Sequence, residues 1–509
     1  MPGCLAAEAW NGLKRSAFIC NSRCKSHADS HDRSCTLDIG ILCVAHDDIR
    51  NKRFIKIWLS LLYSFRRCVT FNKVKGVVEM ENIKMINFII SMAFAVCYAY
   101  QYFYIIVPFI KKDKPHKTII PHRYAVLIAA RNEETVIAQL IQSIEAQDYP
   151  SELITVFVVA DNCTDSTADV ARQAGATVWE RFDNRKIGKG HGLDFLLSRI
   201  GESHPKDYFD GYFVFDADNL LSEDYISEMN KTFSDGHRIV TSYRNSKNYG
   251  DNWITAGYAL WFLREARQLN HARMLLGTSC AVSGTGFLVH REILEGVGGW
   301  KFFLLTEDIE FTVYNVLKGE KIAYCKTAVF YDEQPVTFRQ SWRQRMRWAK
   351  GYFQVFAKYG KDLLRGIFTK GSFSCFDMTM TIMPAMILTI FSVLMNLTAA
   401  LYGFLFIGGG VKIVFSSLFE MLINMYLMLL ILGGIATVTE WKQIHCSTAK
   451  KIAYIFTFPI FMSSYIPISI TAMFRRVEWS PIHHHDAKTL SEVRSGVKKS
   501  SSLKEDRLQ

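Results

Sequence analysis

Long apolar runs near both ends of the chain flank a more polar central region. One uncharged run covers residues 86–110, and two further apolar runs, 378–407 and 411–438, follow the central region. Because a helix rises 1.5 Å per residue, each run is long enough to cross a hydrocarbon core of about 30 Å. We therefore predict one transmembrane helix at 86–110 and two more within 378–438.

A fourth apolar run, residues 452–474, is interrupted by two prolines and is followed by a basic tail. If this run crossed the membrane, the tail would lie outside the cell, against the usual excess of Lys and Arg on the cytoplasmic side. We therefore predict a re-entrant or interfacial segment here, with the tail in the cytoplasm.

In the central region, short β-rich runs alternate with helical patterns. The β-rich runs lie at 124–130, 153–160, 176–180 and 212–215. This alternation predicts a parallel sheet with helices on both faces, and ligands in such sheets bind beyond the carboxyl ends of the strands. We place this α/β domain at residues 118–340.

The chain has 509 residues, 49% of them apolar, and a formal net charge of +12. Many of the cations lie beside apolar runs, which indicates contact with a lipid bilayer and not with nucleic acid. Four lysines follow the first apolar run, at positions 111, 112, 114 and 117. By the positive-inside rule they place the α/β domain in the cytoplasm.

The two ends of the chain carry little periodicity. We expect residues 1–79 to be a disordered leader, or an extension upstream of the natural start. The tail, residues 486–509, is rich in Ser, Lys and Glu and is expected to be disordered. The histidine run before it, 483–485, is interpreted as part of a polar tail.

Asp216-Ala217-Asp218 directly follows the apolar run 212–215. Two carboxylates at positions i and i+2 after a buried strand can share one divalent cation, and Mg²⁺ or Mn²⁺ stabilises a departing diphosphate without proton transfer. The alternative is an exposed pair of acidic residues in a loop. The preceding strand favours a metal site, with Asp218 as the direct ligand and Asp216 contacting both metal and nucleotide.

Two further strand exits carry polar residues suited to a nucleotide. Asp161 leaves the second strand just before a helix, where its carboxylate can accept hydrogen bonds from a base or ribose. Lys189 lies in a run of glycines and cations that precedes another helix, which suits an anionic ligand. The alternatives are helix capping near Asp161 and a solvated basic turn at Lys189.

A second acidic motif, Thr306-Glu307-Asp308, provides a candidate catalytic base. Transfer of a sugar requires that an acceptor hydroxyl lose its proton, and a carboxylate within hydrogen-bonding reach can remove it. The alternative is an ordinary helix start, where Glu307 and Asp308 favour the helix dipole.

Residues 342–348, Trp-Arg-Gln-Arg-Met-Arg-Trp, combine three guanidinium groups with two indoles. Arginine donates paired hydrogen bonds to diphosphate, and indole faces pack on pyranose rings. The segment 341–372 also reads as amphipathic helix lying on the membrane, and both roles are compatible.

Taken together, Asp216 and Asp218, the Thr-Glu-Asp motif, and Gln344, Arg347 and Trp348 between apolar segments resemble the membrane-embedded family 2 glycosyltransferases. This group contains the cellulose, chitin and hyaluronan synthases. The resemblance covers roughly residues 86–485 and implies a GT-A-type, Rossmann-like α/β domain joined to transmembrane helices.

The resemblance also implies roles for individual residues. Asp308 would be the catalytic base, and Asp218 with Asp216 would bind Mg²⁺ or Mn²⁺. Segment 475–485 is similar to a gating loop that covers the nucleotide. The residues implied to contact substrate are Asp161, Lys189, Asp216, Glu307, Gln344, Arg345, Arg347, Trp348 and Trp479.

The implied activity is that of a processive, inverting synthase in the plasma membrane. It would extend a β-linked polysaccharide from a UDP-sugar, with UDP-glucose as the leading donor, and pass the growing glycan outward. One alternative is a nonprocessive enzyme that makes a glycolipid, similar to ceramide glucosyltransferases. Another is a synthase similar to chitin or hyaluronan synthases that uses UDP-GlcNAc.

Overall fold

The computed structural model describes residues 75–402, 411–479, 484 and 486–495. Residues 1–74 of the predicted leader and 496–509 of the predicted tail lie outside the described residues. The described part combines an α/β domain with long apolar helices.

The α/β domain is built on an eight-stranded sheet with the strand order β3-β2-β1-β4-β7-β6-β8-β5. The strands are β1 Tyr124–Ala130, β2 Ile154–Asp161, β3 Thr177–Arg181, β4 Gly211–Phe215, β5 Leu220–Leu221, β6 Ile239–Ser246, β7 Phe287–His290 and β8 Ile322–Asp332. The four β-rich runs in the sequence thus correspond to β1 to β4.

The sheet is mixed, so the prediction of a parallel sheet holds only for part of it. β1 pairs in parallel with β2 and β4, and β2 with β3. β7, however, is antiparallel to both of its neighbours, β4 and β6. The apolar run of β7 is only four residues long and carries no information about strand direction, which depends on the chain entering from the loop 283–286.

Apolar side chains cover both faces of the sheet. In β1, Tyr124, Val126 and Ile128 belong to one core cluster, whereas Ala125 and Leu127 belong to the other. Successive side chains of a strand point to opposite faces, so a strand buried on both sides is apolar throughout.

The helices of this domain are α2 Ile137–Glu145, α3 Thr167–Gln173, α4 Lys189–Ser203, α5 Tyr225–Ser234, α6 Trp253–Arg264, α7 His271–Leu276, α8 Arg291–Glu295 and α9 Glu307–Lys318. A π-helical segment, Glu265–Asn270, joins α6 to α7. α4 and α6 pack on one face of the sheet, and α2 and α5 pack on the other.

The long apolar helices lie before and after the α/β domain. They are α1 Lys75–Ile110, α10 Phe338–Lys370, α11 Phe373–Ile382, α12 Pro384–Tyr402, α13 Val411–Thr439, α14 Thr448–Ser463 and α15 Tyr465–Phe474; a short helix, α16 Leu490–Ser495, ends the described chain. In the described residues, three segments are long and apolar enough to cross a membrane: Met85–Ile110, Leu418–Thr439 and Thr448–Phe474. A bent pair, Phe373–Ile382 with Ile387–Ala399 at 42°, would make a fourth.

A buried ion pair ties α1 and α11 to the α/β domain. Asp377 of α11 is 0% exposed and accepts hydrogen bonds from Arg273 Nε at 2.7 Å and Nη2 at 2.8 Å. Tyr100 and Tyr104 of α1 donate to the same carboxylate at 2.8 and 2.9 Å. This network fixes the first apolar helix relative to the catalytic region.

Candidate active site

The carboxyl ends of β1, β2 and β4 meet at one edge of the sheet and bring the predicted residues there. Asn132 and Asn162 follow β1 and β2 with φ values of 57° and 55°, a left-handed conformation that Asn tolerates better than most residues. The Asn132 carbonyl oxygen accepts from the Thr164 amide at 2.8 Å, and Thr167 Oγ1 accepts from the Glu133 amide at 2.8 Å. The two loops therefore support each other.

Asp161 lies at the end of β2, where it is buried and paired with Arg181 of β3 at 2.5 Å. Burial raises the pKa of Asp161, and the Arg181 guanidinium opposes this effect. The pair puts a fixed carboxylate at the strand exit, as predicted from the sequence. Arg181 was not predicted.

Lys189 and Asp216 form an ion pair at the same edge of the sheet. Lys189 is the first residue of α4, and its ammonium also donates to the Gly284 carbonyl at 2.8 Å. The Asp216 amide donates to Thr285 Oγ1 at 2.8 Å. The loop before β7 is thereby held against the Asp-Ala-Asp motif.

Asp218 is more deeply placed than Asp216: its side chain is 6% exposed, against 41% for Asp216. One Asp218 oxygen accepts from the Glu333 amide at 2.9 Å and lies 3.8 Å from His484 Nε2. Burial acts to raise the pKa of Asp218, but the charges of His484 and Lys247 outweigh it, so this pKa is lowered.

His484 links Asp218 to Glu133. Its Nδ1 lies 2.9 Å from a Glu133 oxygen. Burial acts to lower the pKa of His484, but the neighbouring carboxylates outweigh it and raise the pKa to about 10. Burial raises the pKa of Glu133 to about 7, although His484 opposes this.

The residues of the Asp-Ala-Asp motif fit a divalent cation. Their carboxylate oxygens are the hard donors that Mg²⁺ and Mn²⁺ prefer, and Mg²⁺ is usually held by one or two carboxylates together with substrate phosphates. Within the described residues no group of three or more His, Cys, Asp or Glu side chains has metal-binding geometry. A site formed by Asp216 and Asp218 therefore depends on the diphosphate for its remaining ligands.

Glu307 and Asp308 begin α9 and lie beside the loop that Lys189 holds. Asp308 Oδ2 is 3.7 Å from the position that a Cβ atom of Gly284 would occupy. Burial, together with Asp308, raises the pKa of Glu307 to about 7, and burial also raises the pKa of Asp308. The charges of Lys189 and Arg347 act in the opposite direction on both carboxyls.

The Gln-x-x-Arg-Trp residues lie on α10, which packs against the Thr-Glu-Asp motif. Arg347 Nη1 donates to the Leu305 carbonyl at 2.9 Å. Trp348 contacts Tyr258 and Phe262 edge-on, with ring centroids 5.6 and 6.2 Å apart. Gln344 has a buried side-chain oxygen with no hydrogen-bond partner.

Arg345 is the one residue of the predicted set that the structure puts elsewhere. Its side chain is 0% exposed and donates to the Phe461 carbonyl at 3.0 Å and to Ser464 Oγ at 2.6 Å. The guanidinium also lies 4.3 Å from the centroid of the Phe461 ring. On a helix, Arg345 and Arg347 point in different directions, so Arg345 contacts the break between α14 and α15 instead of the cleft.

The tail returns to the α/β domain. The ring of Trp479 lies 5.5 Å from Arg131 Cζ at the end of β1. In place of the expected structureless tail, the Asp486 amide donates to Glu333 at 2.9 Å, and Arg494 of α16 pairs with Glu223. The sequence offers one signal for this contact, the histidine run, which a polar-tail interpretation misses.

Comparisons with known proteins agree with this site. The sequence profile of the family described as "Glycosyltransferase like family 2" matches residues 121–351, which include both acidic motifs and the Gln-x-x-Arg-Trp residues. Among solved structures, a mannosyltransferase from Pyrobaculum calidifontis in complex with GDP-Man and Mn²⁺ covers 77% of this chain and 99% of its own, with 16% identity and a TM-score of 0.49. A score at this level adds no argument of its own.

Three relatives illustrate the sequence similarity. "Probable glycosyltransferase YdaM" of Bacillus subtilis is 28% identical over 47% of this chain and 57% of its own length. "Beta-monoglucosyldiacylglycerol synthase" of Synechocystis is 27% identical over 46% and 48%, respectively. "Poly-beta-1,6-N-acetyl-D-glucosamine synthase" of Staphylococcus epidermidis is 23% identical over 45% and 54%.

The chain thus spans about half the length of the curated relatives it matches. The matched part is the α/β domain, in which strands β1 to β4 and the loops after them carry the predicted residues. Residues 121–351 are therefore a family 2 glycosyltransferase domain with a GT-A-like, Rossmann-type fold, and by this domain the chain is a transferase.

Proposed function

We propose that the protein is a metal-assisted, inverting glycosyltransferase that extends a β-linked polysaccharide from a UDP-sugar, with UDP-glucose as the leading donor. One observation carries the proposal: the loop at Gly284 has the Lys189–Asp216 pair on one side and the Asp308 carboxylate on the other. A donor diphosphate and an acceptor hydroxyl can therefore approach the same small loop from opposite directions.

The donor half of the site consists of Asp161, Lys189, Asp216 and Asp218. Asp161 is suited to the uracil or ribose, because its carboxylate is fixed by Arg181 at the end of β2. Asp216 and Asp218 would hold Mg²⁺ or Mn²⁺, which supplies positive charge to the departing diphosphate. Lys189 is free to turn from Asp216 towards a phosphate, since its ammonium is a flexible point charge. Trp479, beside Arg131, would cover the nucleotide as part of the gating loop 475–485.

The acceptor half centres on Asp308. Its carboxylate takes the proton of the acceptor hydroxyl while the oxygen attacks the anomeric carbon on the face opposite UDP, which inverts the configuration. A base works best when its pKa lies near the working pH, and burial raises the pKa of Asp308 in that direction. Glu307 positions the acceptor or the base, and Arg347 donates to diphosphate. Gln344 and Trp348 contact the acceptor end of the glycan.

The membrane topology that we propose has the catalytic domain in the cytoplasm and the protein spanning the plasma membrane several times. The tail after Phe474 pairs with the α/β domain through Arg494 and Glu223. This contact supports a re-entrant path for α14 and α15, which are separated by a turn at Ser464. The glycan would leave through the apolar helices.

A second function is supported by the relatives. Synthases of β-monoglucosyldiacylglycerol are 26–27% identical to this chain, so a nonprocessive transfer of one glucose to a lipid is the main competitor. The similarity to poly-β-1,6-N-acetyl-D-glucosamine synthases keeps UDP-GlcNAc as an alternative donor.

One experiment separates these functions. The purified protein is incubated in detergent or liposomes with Mg²⁺ and radiolabelled UDP-glucose or UDP-GlcNAc, and the product is digested with linkage-specific hydrolases. A glucose polymer that a β-glucanase degrades supports the proposal. A single glycolipid resistant to the enzyme, or label incorporated only from UDP-GlcNAc, contradicts it.

A further inference from the structure

A cavity behind the Gly284 loop is lined by residues that the mechanism above does not use. Among them are Arg244, Phe262, Glu265, Ser283 and Thr285, and the empty volume is about 260 Å³. Small-molecule pockets begin at about 300 Å³, so this cavity suits one part of a ligand, such as a single ring. Thr285 also accepts from the Asp216 amide, which makes the cavity continuous with the donor half of the site.

Glu265 places a carboxylate in this cavity. It is the first residue of the π-helical segment Glu265–Asn270, and such segments are frequent at functional sites. In the described part of the chain its one hydrogen-bond donor is the Ser283 hydroxyl, at 3.1 Å. A carboxylate has about four acceptor positions, so Glu265 retains capacity for further donors.

The charge of Glu265 is not needed to neutralise either neighbouring arginine. Arg273 is already paired with Asp377 at 2.7 Å, and Arg244 with Asp332. Arg244 also lies 3.6 Å from the centroid of the Phe262 ring and donates to the Ser283 carbonyl at 2.8 Å. Burial raises the pKa of Glu265, and these two arginines oppose the rise. A buried carboxylate without a dedicated counter-ion is costly unless it serves a ligand.

Two carboxylates thus flank one dipeptide. Asp308 is 3.7 Å from the Cβ position at Gly284, and Glu265 bonds Ser283, the residue before it. Resting on the proposed function, we propose that Glu265 and Ser283 form an acceptor subsite that binds a second hydroxyl of a sugar ring while Asp308 deprotonates the first. A diacylglycerol has one free hydroxyl and cannot use such a subsite.

The test compares two acceptors with wild-type protein and the Glu265→Gln variant. Cellotetraose is the polyhydroxyl acceptor and 1,2-dioctanoylglycerol is the acceptor with one hydroxyl; UDP-glucose and Mg²⁺ are present throughout. A hydrogen bond to a charged group contributes about 1.5–3 kcal/mol, so we expect the KM for cellotetraose to rise about tenfold or more. Hydrolysis of UDP-glucose without acceptor should change less than twofold, because the donor half is intact.

Glu440→Gln is the matched control. Glu440 is also buried, but it bonds Tyr243 at the end of α13 and does not line the cavity. Its KM for cellotetraose should match that of wild type. Ser283→Ala, which keeps the backbone, should raise this KM in the same direction as Glu265→Gln if the latter folds poorly.

The outcomes separate this inference from the proposed function. If wild type extends cellotetraose and neither Glu265→Gln nor Ser283→Ala changes its KM, the subsite is wrong while the polysaccharide function stands. If wild type uses only dioctanoylglycerol, or neither acceptor, the sugar subsite is overturned. Absence of UDP-glucose hydrolysis in wild type would contradict the donor assignment itself.

Discussion

His484 Nε2 lies 3.8 Å from Asp218, and His484 Nδ1 lies 2.9 Å from Glu133. A residue of the tail thus contacts two loops that follow different strands of the sheet. The carboxylate predicted to bind the metal directly is therefore surrounded by contacts on several sides, and its substitution should have specific effects.

Asp218→Ala should abolish the dependence of UDP affinity on Mg²⁺. The substitution removes the direct carboxylate ligand, so the cation can no longer join the protein to the diphosphate. Isothermal titration calorimetry with UDP, with and without Mg²⁺, measures the effect. Asp169→Ala is a suitable control because that carboxylate is exposed and pairs only with Arg172 on its own helix. Equal Mg²⁺ dependence in Asp218→Ala and wild type would refute the metal assignment.

Asp308→Asn should remove turnover but keep nucleotide binding. Asparagine preserves the shape of the side chain but cannot take a proton, and general-base catalysis contributes about 10²–10⁴-fold in rate. Sugar transfer is measured by product formation, and UDP binding by calorimetry. A variant with wild-type transfer would show that another group is the base. Loss of UDP binding would instead indicate a structural role.

Arg347→Met should shift the acid limb of the pH–rate profile to higher pH. The Arg347 charge lowers the pKa of both Glu307 and Asp308, so its removal raises the pKa of the base. The base then becomes ionised only at higher pH. Profiles of kcat/KM between about pH 5.5 and 9 measure the shift. Arg347→Lys should keep much of the wild-type limb.

Arg343→Met is the control for this prediction. Arg343 is exposed on the same helix, one turn from Arg347. Its removal changes the net charge by the same amount and should leave the acid limb in place. A shift of equal size in both variants would point to a general charge effect.

Glu307→Gln should stabilise the protein at pH 8 more than at pH 5. In the folded state the pKa of Glu307 is raised from 4.5 to about 7, mainly by burial. The folded state then binds more protons than the unfolded state between these values, so stability falls as pH rises through this range. Glutamine, which does not ionise, avoids the penalty above pH 7.

Thermal unfolding at the two pH values tests this prediction. One kcal/mol corresponds to about 2–4 °C for a domain of this size, so an increase in Tm of about 2 °C or more is expected at pH 8. Glu295→Gln, on an exposed position, should have the same Tm as wild type at both pH values. A lower Tm for Glu307→Gln at pH 8 would contradict the prediction.

Much of the first half of the fold could be predicted because it is encoded locally. Strand β1 is an apolar run bounded by polar residues, and its limits in the structure are Tyr124–Ala130, as predicted. The acidic motifs were found because they follow such runs. The direction of β7 was not predictable, because it depends on pairing with β4 and β6 across long stretches of sequence.

The missing parts of the site have the same physical origin. Arg181, Lys247, Glu265 and His484 are ordinary polar residues in the sequence, and only tertiary contacts give them partners. Arg345 shows the converse error: its neighbours in sequence suggest diphosphate, but the side of the helix on which it lies packs against Phe461 and Ser464. Charge pairing in a buried site is a property of the folded chain.

The anchoring of Arg345 has a mechanical consequence. α10 carries Gln344, Arg347 and Trp348 towards the cleft and, from the intervening Arg345, grips the point where α14 gives way to α15. A rotation or slide of α10 during a catalytic cycle must therefore pull on that interruption, so the composition and thickness of the surrounding lipid should be felt as changes in turnover.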